Sequence, residues 1–302
     1  MILGVTASGK SGLAFELARR IDAEIISIDS MKVYKRMDIG TAKPSPQKRQ
    51  QVKYHLIDVV EPSESFSVDK FLALTHHAID QIKQARKPII AVGGTAMYIK
   101  ALLFGLFESP PSDPAIRDCL KEQIKENGPA QLHAQLAEVD PKAAQKIHPN
   151  DARRIIRALE VHQLTGKPIS SLQQQFDADQ PLQEWNIIGL RRPRPLESSR
   201  INARVKKMMR LGLLDEVKSL LAEDKPLSTQ ARSAIGYAEL IDHLEGKMNL
   251  EEAVENIKIN TRRLAKGQRT WFKTFRDVNW LDIAEDHPPE NILDRAMELI
   301  PR

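Results

Sequence analysis

The chain has 302 residues, 41% of them hydrophobic and 28% charged, with a formal net charge of +5. That balance excludes a disordered or collagen-like chain, and no apolar run reaches the roughly 18 residues of a membrane helix, so a cytoplasmic globular protein with no membrane role is expected. A single cysteine, Cys119, excludes an internal disulfide framework and any cysteine-based zinc site, while the mild positive excess permits a polyanionic partner without requiring one.

Met1–Leu3 is a short apolar run, the stub of a first strand. Gly4, four spacers and Gly9-Lys10-Ser11 follow directly, which is expected to leave no room for a signal peptide. Residues 9–21 read as a helix with Leu13, Ala14, Leu17 and Ala18 on one face. Residues 23–29 form a continuous apolar run ending in Asp29, the pattern of a buried parallel strand. Residues 54–59 are a third strand candidate, and residues 67–85 a helix started by Ser67 or Asp69. Residues 87–95 make a fourth strand that runs into Gly93-Gly94-Thr95, and residues 96–105 return as a helix. Strands alternating with helices predict a right-handed, parallel α/β sheet.

From about Leu106 the texture changes, and nearly everything to about Gln175 is helical, each segment with its own start and stop signals. Residues 184–190 resume as a strand, residues 196–221 and 250–275 read as long helices, and residues 278–282 as a last strand. The fold class expected is α/β, a P-loop NTPase-like parallel sheet flanked by helices, with an all-helical insertion domain. The divisions expected are 1–108 for the first part of the core, 109–183 for the insertion, and 184–302 for a mostly helical return to the core.

Gly4, Val5, Thr6, Ala7, Ser8, Gly9, Lys10 and Ser11 follow a strand and open a helix, the context that makes such a glycine-rich run a phosphate loop. Its backbone N–H groups and the helix N-terminus hold phosphate oxygens. Lys10 adds a point charge, and Ser11 offers a hydroxyl to Mg2+. Asp29 ends the second strand, where ligands of such sheets bind; it can hold a metal, take a proton from a nucleophile, or cap the next turn. Gly93-Gly94-Thr95 should wall the same cleft, and Thr95 equally suits a helix N-cap. Arg200 and Arg204 lie one turn apart and suit either a phosphate or a solvated basic face. Arg262, Lys266, Arg269, Lys273 and Arg276 step by four and three, a basic stripe that fits a nucleic-acid backbone or water. The histidines show no paired metal-ligand spacing.

A phosphate loop alone suggests ATP and a small kinase. Against that, the fourth strand ends in Gly-Gly-Thr rather than a metal-binding Asp, and no short Arg-rich lid is evident. The runs GVTASGKS, IISIDSMKVYKRMDIGTAKP, VGGTAMYIKALLFGL, IHPNDARRIIRALEV and IGYAEL resemble, in order and over nearly the whole chain, the bacterial tRNA dimethylallyltransferases. The resemblance implies that the loop holds the diphosphate of dimethylallyl diphosphate rather than ATP. It further implies transfer of the dimethylallyl group to N6 of the adenosine 3′-adjacent to the anticodon, with Mg2+ as cofactor. Carried over by position, Asp29 is the catalytic carboxylate, Lys10 and Thr95 act beside it, and Arg200 and Arg204 help hold the diphosphate. The tRNA-contacting positions become Asp29, Ser30, Met31, Lys32, Thr95, Arg117, Arg153, Arg154, Ile155, Ile156 and Arg157, gripping an anticodon stem-loop, with the enzyme expected to be a monomer. Val5 stands where the family usually has Pro, Ala96 where Gly is common, and Lys32 where Gln is usual.

Overall fold

The computed structural model describes residues 1–106, 110–173, 182, 184–284 and 289–300. The chain opens with β1 (Ile2–Gly4), α1 (Lys10–Ile21), β2 (Glu24–Ile28), α2 (Pro46–Gln51), β3 (Tyr54–His55), α3 (Val68–Gln84), β4 (Ile89–Gly93) and α4 (Ala96–Phe104). Helices α5 (Pro114–Asn127), α6 (Pro129–Val139), α7 (Pro141–Lys146), α8 (Ala152–Thr165) and α9 (Ile169–Leu172) follow. Then come β5 (Ile187–Arg191), α10 (Arg194–Arg210), α11 (Leu213–Leu221), α12 (Thr229–Arg232), α13 (Tyr237–Leu244), α14 (Leu250–Phe272), β6 (Val278–Asp282) and α15 (Pro289–Glu298). The chain divides into two compact units, one of Met1–Leu102 with Glu184–Arg302 and one of Leu103–Gln183.

In the first unit the described strands form one six-stranded sheet in the order β3-β2-β4-β1-β5-β6, every neighbour parallel. Crossover helices cover such a sheet on both faces, so its strands read as apolar runs. β2 is buried along its whole length, and α1 turns Leu13, Ala14, Leu17 and Ala18 inward as its periodicity predicts. Each fully buried Leu or Ile contributes about 1.5–3 kcal/mol. Register decides where the chemistry can sit. Gly93 pairs with Ile28 on one side and with Leu3 on the other, and Gly4 pairs with Leu190. The C-terminal ends of β2, β4, β1 and β5 therefore fall in line, which delivers Asp29, Gly94-Thr95, the glycine-rich loop and Arg192 to one edge.

The second unit is helical around Leu120, Leu132, Leu136, Ile155 and Leu159. Asp113, Asp140 and Asp151 each cap the N-terminus of a helix there, and Gly166 ends α8 in the left-handed conformation.

Three expectations on element bounds change. The third strand shrinks to two residues because Leu56 and Asp58 take positive φ, 60° and 57°, and break the extended chain. The helix expected over 196–221 is two helices, divided at Gly212 with φ 94°. The last long helix stops at Phe272, so Arg276 lies beyond it. Among the described residues no helix is long and apolar enough to cross a membrane.

Candidate active site

The loop between β1 and α1 turns through two left-handed residues, Ala7 with φ 62° and Gly9 with φ 104°. Gly9 takes that conformation without strain, which turns the following N–H groups toward a common centre. The Lys10 ammonium folds back to donate to Val5 O at 3.1 Å. Buried Gln268 of α14 fastens the loop to the neighbouring strand: its Oε1 accepts from Thr6 N–H at 2.8 Å and its Nε2 donates to Gly94 O at 2.8 Å. Gly94 must lack a side chain, since a Cβ there would stand 2.6 Å from Gln268 Nε2 and 3.4 Å from Lys10 Nζ. The Ser8 hydroxyl is buried and has no hydrogen-bond partner among the described residues. An orphaned donor of that kind inside an anion-binding loop suits a phosphate oxygen.

Asp29 stands at the end of β2. Its Oδ1 accepts from Met31 N–H at 2.9 Å and from Lys32 N–H at 3.2 Å, so it caps the turn that follows. Oδ2 accepts no hydrogen bond among the described residues, which leaves it available for chemistry. The capping and functional roles thus fall on different oxygens. Thr95 ties the ends of β2 and β4 together, its Oγ1 accepting from Ser30 N–H at 3.2 Å. Its carbonyl, rather than its hydroxyl, starts α4 by accepting from Tyr98 and Ile99.

Three arginines from the β5–α10 segment reach three consecutive loop residues. Arg192 Nε donates to Ser8 O at 2.7 Å, Arg200 Nε to Ala7 O at 2.9 Å, and Arg204 Nη1 to Thr6 Oγ1 at 3.0 Å. Arg200 and Arg204 therefore flank the loop rather than form a solvated face. Each guanidinium keeps further N–H donors for an anion. Buried Glu197 pairs with Arg269, and Asn202 accepts from Arg262 at 2.7 Å, so α14 braces the helix that carries the arginines. These two bonds correct the reading of the basic stripe as a free face: Arg262 and Arg269 hold α10 in place.

The charges interact strongly. Burial, then Lys32 and Arg204, push the Lys10 ammonium down to about 7, while Asp29 opposes the shift. Burial depresses the Arg204 guanidinium and Asp29 supports it. Burial and Arg200 depress Arg192. Cations packed this closely, offset only in part by Asp29, favour an arriving anion.

The helical unit distributes its basic residues differently. Arg117 grips fully buried Glu160 through Nε at 2.8 Å and Nη2 at 3.0 Å, and Arg157 reaches the same carboxylate at 2.5 Å. These two side chains join an internal ion pair around Glu160. Ile155 is fully buried in the core of the unit, and half-buried Ile156 packs against that core. Arg154 pairs with Asp151 at 2.6 Å. Arg153 is exposed, and its guanidinium has no hydrogen bond or ion pair among the described residues.

Known proteins place the chain. The family model described as IPP transferase matches residues 32–275. The chain belongs to the IPP transferase family. The tRNA dimethylallyltransferase of Acetivibrio thermocellus is 44% identical over 97% of this chain and 94% of its own length. That of Carboxydothermus hydrogenoformans is 46% identical, over 95% and 92%. The crystal structure of the full-length tRNA isopentenylpyrophosphate transferase of Bacillus halodurans has a TM-score of 0.71 at 39% identity and covers 98% of this chain and 93% of that one. A eukaryotic dimethylallyltransferase acting on tRNA has a TM-score of 0.79 at 30% identity, over 98% and 76%.

In this IPP transferase two site residues escape sequence reasoning. Arg192 lies in the run Arg191-Arg192-Pro193-Arg194 just past the C-terminal end of β5, and that position at a strand end is the signal that points to it. Gln268 has no such signal, because it meets the loop from 262 residues away. No cluster of three metal-ligating side chains occurs among the described residues. Ser11, exposed at the first turn of α1, offers one hard oxygen of the kind Mg2+ takes.

Proposed function

We propose that this chain transfers a dimethylallyl group from dimethylallyl diphosphate to N6 of the adenosine 3′-adjacent to the anticodon in tRNA, releasing N6-(dimethylallyl)adenosine and diphosphate. The observation that carries the reading is the placement of Asp29, with one oxygen open, among Lys10, Arg204 and the amides of the glycine-rich loop.

The allylic carbon–oxygen bond breaks, and its electron pair leaves with the diphosphate. Loop amides, Lys10, Arg192, Arg200 and Arg204 surround the place where that negative charge grows. Preorganised donors of this kind are each worth about 2.7–4 kcal/mol. N6 forms the new bond to carbon, and its proton passes to Asp29 Oδ2. Thr95, tied to Ser30, keeps the wall beside Asp29 in place. Were Mg2+ bound, Ser11 would hold it, and the ion would neutralise diphosphate charge. The adenine must leave its stack to reach the carboxylate, a cost of a few kcal/mol that is least in a single-stranded loop. The helical unit, through exposed Arg153, is assigned to the anticodon stem. The work lies in the cytoplasm, and the reading needs no second copy of the chain.

A kinase reading is not favoured, because β4 ends in Gly93-Gly94-Thr95 instead of a metal-binding carboxylate. One assay separates the possibilities: radiolabelled dimethylallyl diphosphate is incubated with the protein and unmodified tRNA. Label should enter the RNA. ATP consumption without tRNA, or tRNA binding with no labelled product, would refute the transferase.

A further inference from the structure

Beside the first turn of α1 lies a hollow of about 260 Å³, walled by Ser11 and Gly12, by Ser27 of β2 and Val92 of β4, and by the 42–57 segment. Its lining includes three lysines and no carboxylate. Two of the lysines are engaged. Lys43 donates to Asp38 at 2.6 Å, to Asp58 at 2.5 Å and to Tyr34 O at 2.5 Å. Lys48 lies 4.7 Å over the Phe15 ring. Lys32 differs: its ammonium has no hydrogen bond or ion pair among the described residues, although the residue is half-buried in the wall of the hollow. Its backbone N–H is held by Asp29 at 3.2 Å, which fixes where the side chain starts.

A half-buried cation with no hydrogen-bonded anion of its own, supported only across space by Asp29, is stabilised when an anion arrives. Burial lowers the Lys32 ammonium and Asp29 supports it, while Arg204, Lys43 and Arg49 lower it further; Lys32 is in turn the larger of the two cationic influences on Lys10. The hollow also opens on Ser11 and Gly12, at the positive end of α1.

We propose that Lys32 is a further cationic contact for the leaving diphosphate, reaching it through the hollow beside Ser11. The inference rests on the transferase reading and extends it, since it assigns Lys32 to the diphosphate instead of the RNA base. An ammonium has donors and no acceptor, so Lys32 is unable to make the two-way pairing with a base edge that a glutamine makes. A single positive charge matches a phosphate oxygen instead. With Lys32 in contact, diphosphate binding retains much of its strength when no divalent cation is present.

Calorimetric titration with inorganic diphosphate in the presence of a chelator tests this without any transfer step. K32Q and K32M should each weaken binding by about tenfold, the lower range for one charge-assisted hydrogen bond. K32R should bind nearly as the natural chain does. Unchanged diphosphate affinity in K32Q and K32M, with a raised KM for tRNA, would overturn this inference and leave the transferase reading standing. A natural chain that binds diphosphate only once Mg2+ is supplied would overturn this inference alone, and one with no affinity in either condition would overturn both.

Discussion

The two units use arginine in opposite ways. In the α/β unit Arg192, Arg200 and Arg204 bond to neutral oxygens of the loop, so no carboxylate closes on them and their charges stay available to an anion. In the helical unit Arg117 and Arg157 close on buried Glu160, and their charges are consumed inside the fold. A charged side chain therefore reports function only through its partner. Bonding to a carbonyl or hydroxyl leaves the charge for a ligand, while a carboxylate cancels it.

The contrast breaks most visibly at Glu160. Its removal strands two guanidinium groups and leaves Asp113 N–H without its 2.8 Å acceptor. Glu160→Ala should therefore cost about 3–5 kcal/mol of stability, read by thermal unfolding. A melting temperature equal to that of the natural chain would mean the ion pair is not structural. Arg204→Ala should leave folding nearly intact and lower kcat/KM for transfer by about a hundredfold. Loss of stability without loss of rate would move Arg204 into the same class as Arg117.

The Lys10 ammonium sharpens the electrostatic side, because its pKa in the free protein is about 7. A bound anion favours the charged form and raises that pKa. The Lys10 contribution to inorganic diphosphate affinity should therefore be full below about pH 7 and fall as pH rises through the interval up to the bound-state pKa. The slope is at most about tenfold per pH unit. Lys10→Arg, whose side chain stays charged, should lose that component of the pH dependence, and an identical profile would assign the titration elsewhere. The smallest effect belongs to Arg153. Arg153→Glu should weaken tRNA binding roughly tenfold, with stability changed by no more than about 0.5 kcal/mol and diphosphate affinity unaltered. Unchanged RNA affinity in a filter-binding assay would remove Arg153 from the interface.

Much of the architecture is legible in the residues alone, because strand runs such as 23–29 and the inward face of α1 carry their periods openly. The glycine-rich loop and Asp29 are legible for the same local reason: spacing and position at a strand end. What stays hidden depends on distant partners. The basic stripe on α14 has the spacing of a nucleic-acid face, yet Glu197 and Asn202 on another helix absorb two of its cations. Gln268 shows no motif, since its role is defined by Thr6 and Gly94. The shortened third strand turns on the φ values of Leu56 and Asp58, which apolar patterning does not encode.

Everything in the proposed chemistry turns on whether Asp29 does more than cap its own turn. Asp29→Asn keeps an oxygen able to accept from Met31 and Lys32 N–H but removes the base. Single-turnover transfer, measured with dimethylallyl diphosphate and tRNA both saturating, isolates that one change. A rate at least about a hundredfold lower, with the affinity for both substrates preserved, is the expected result. Transfer at the natural rate would contradict the assignment of Asp29 as the proton acceptor.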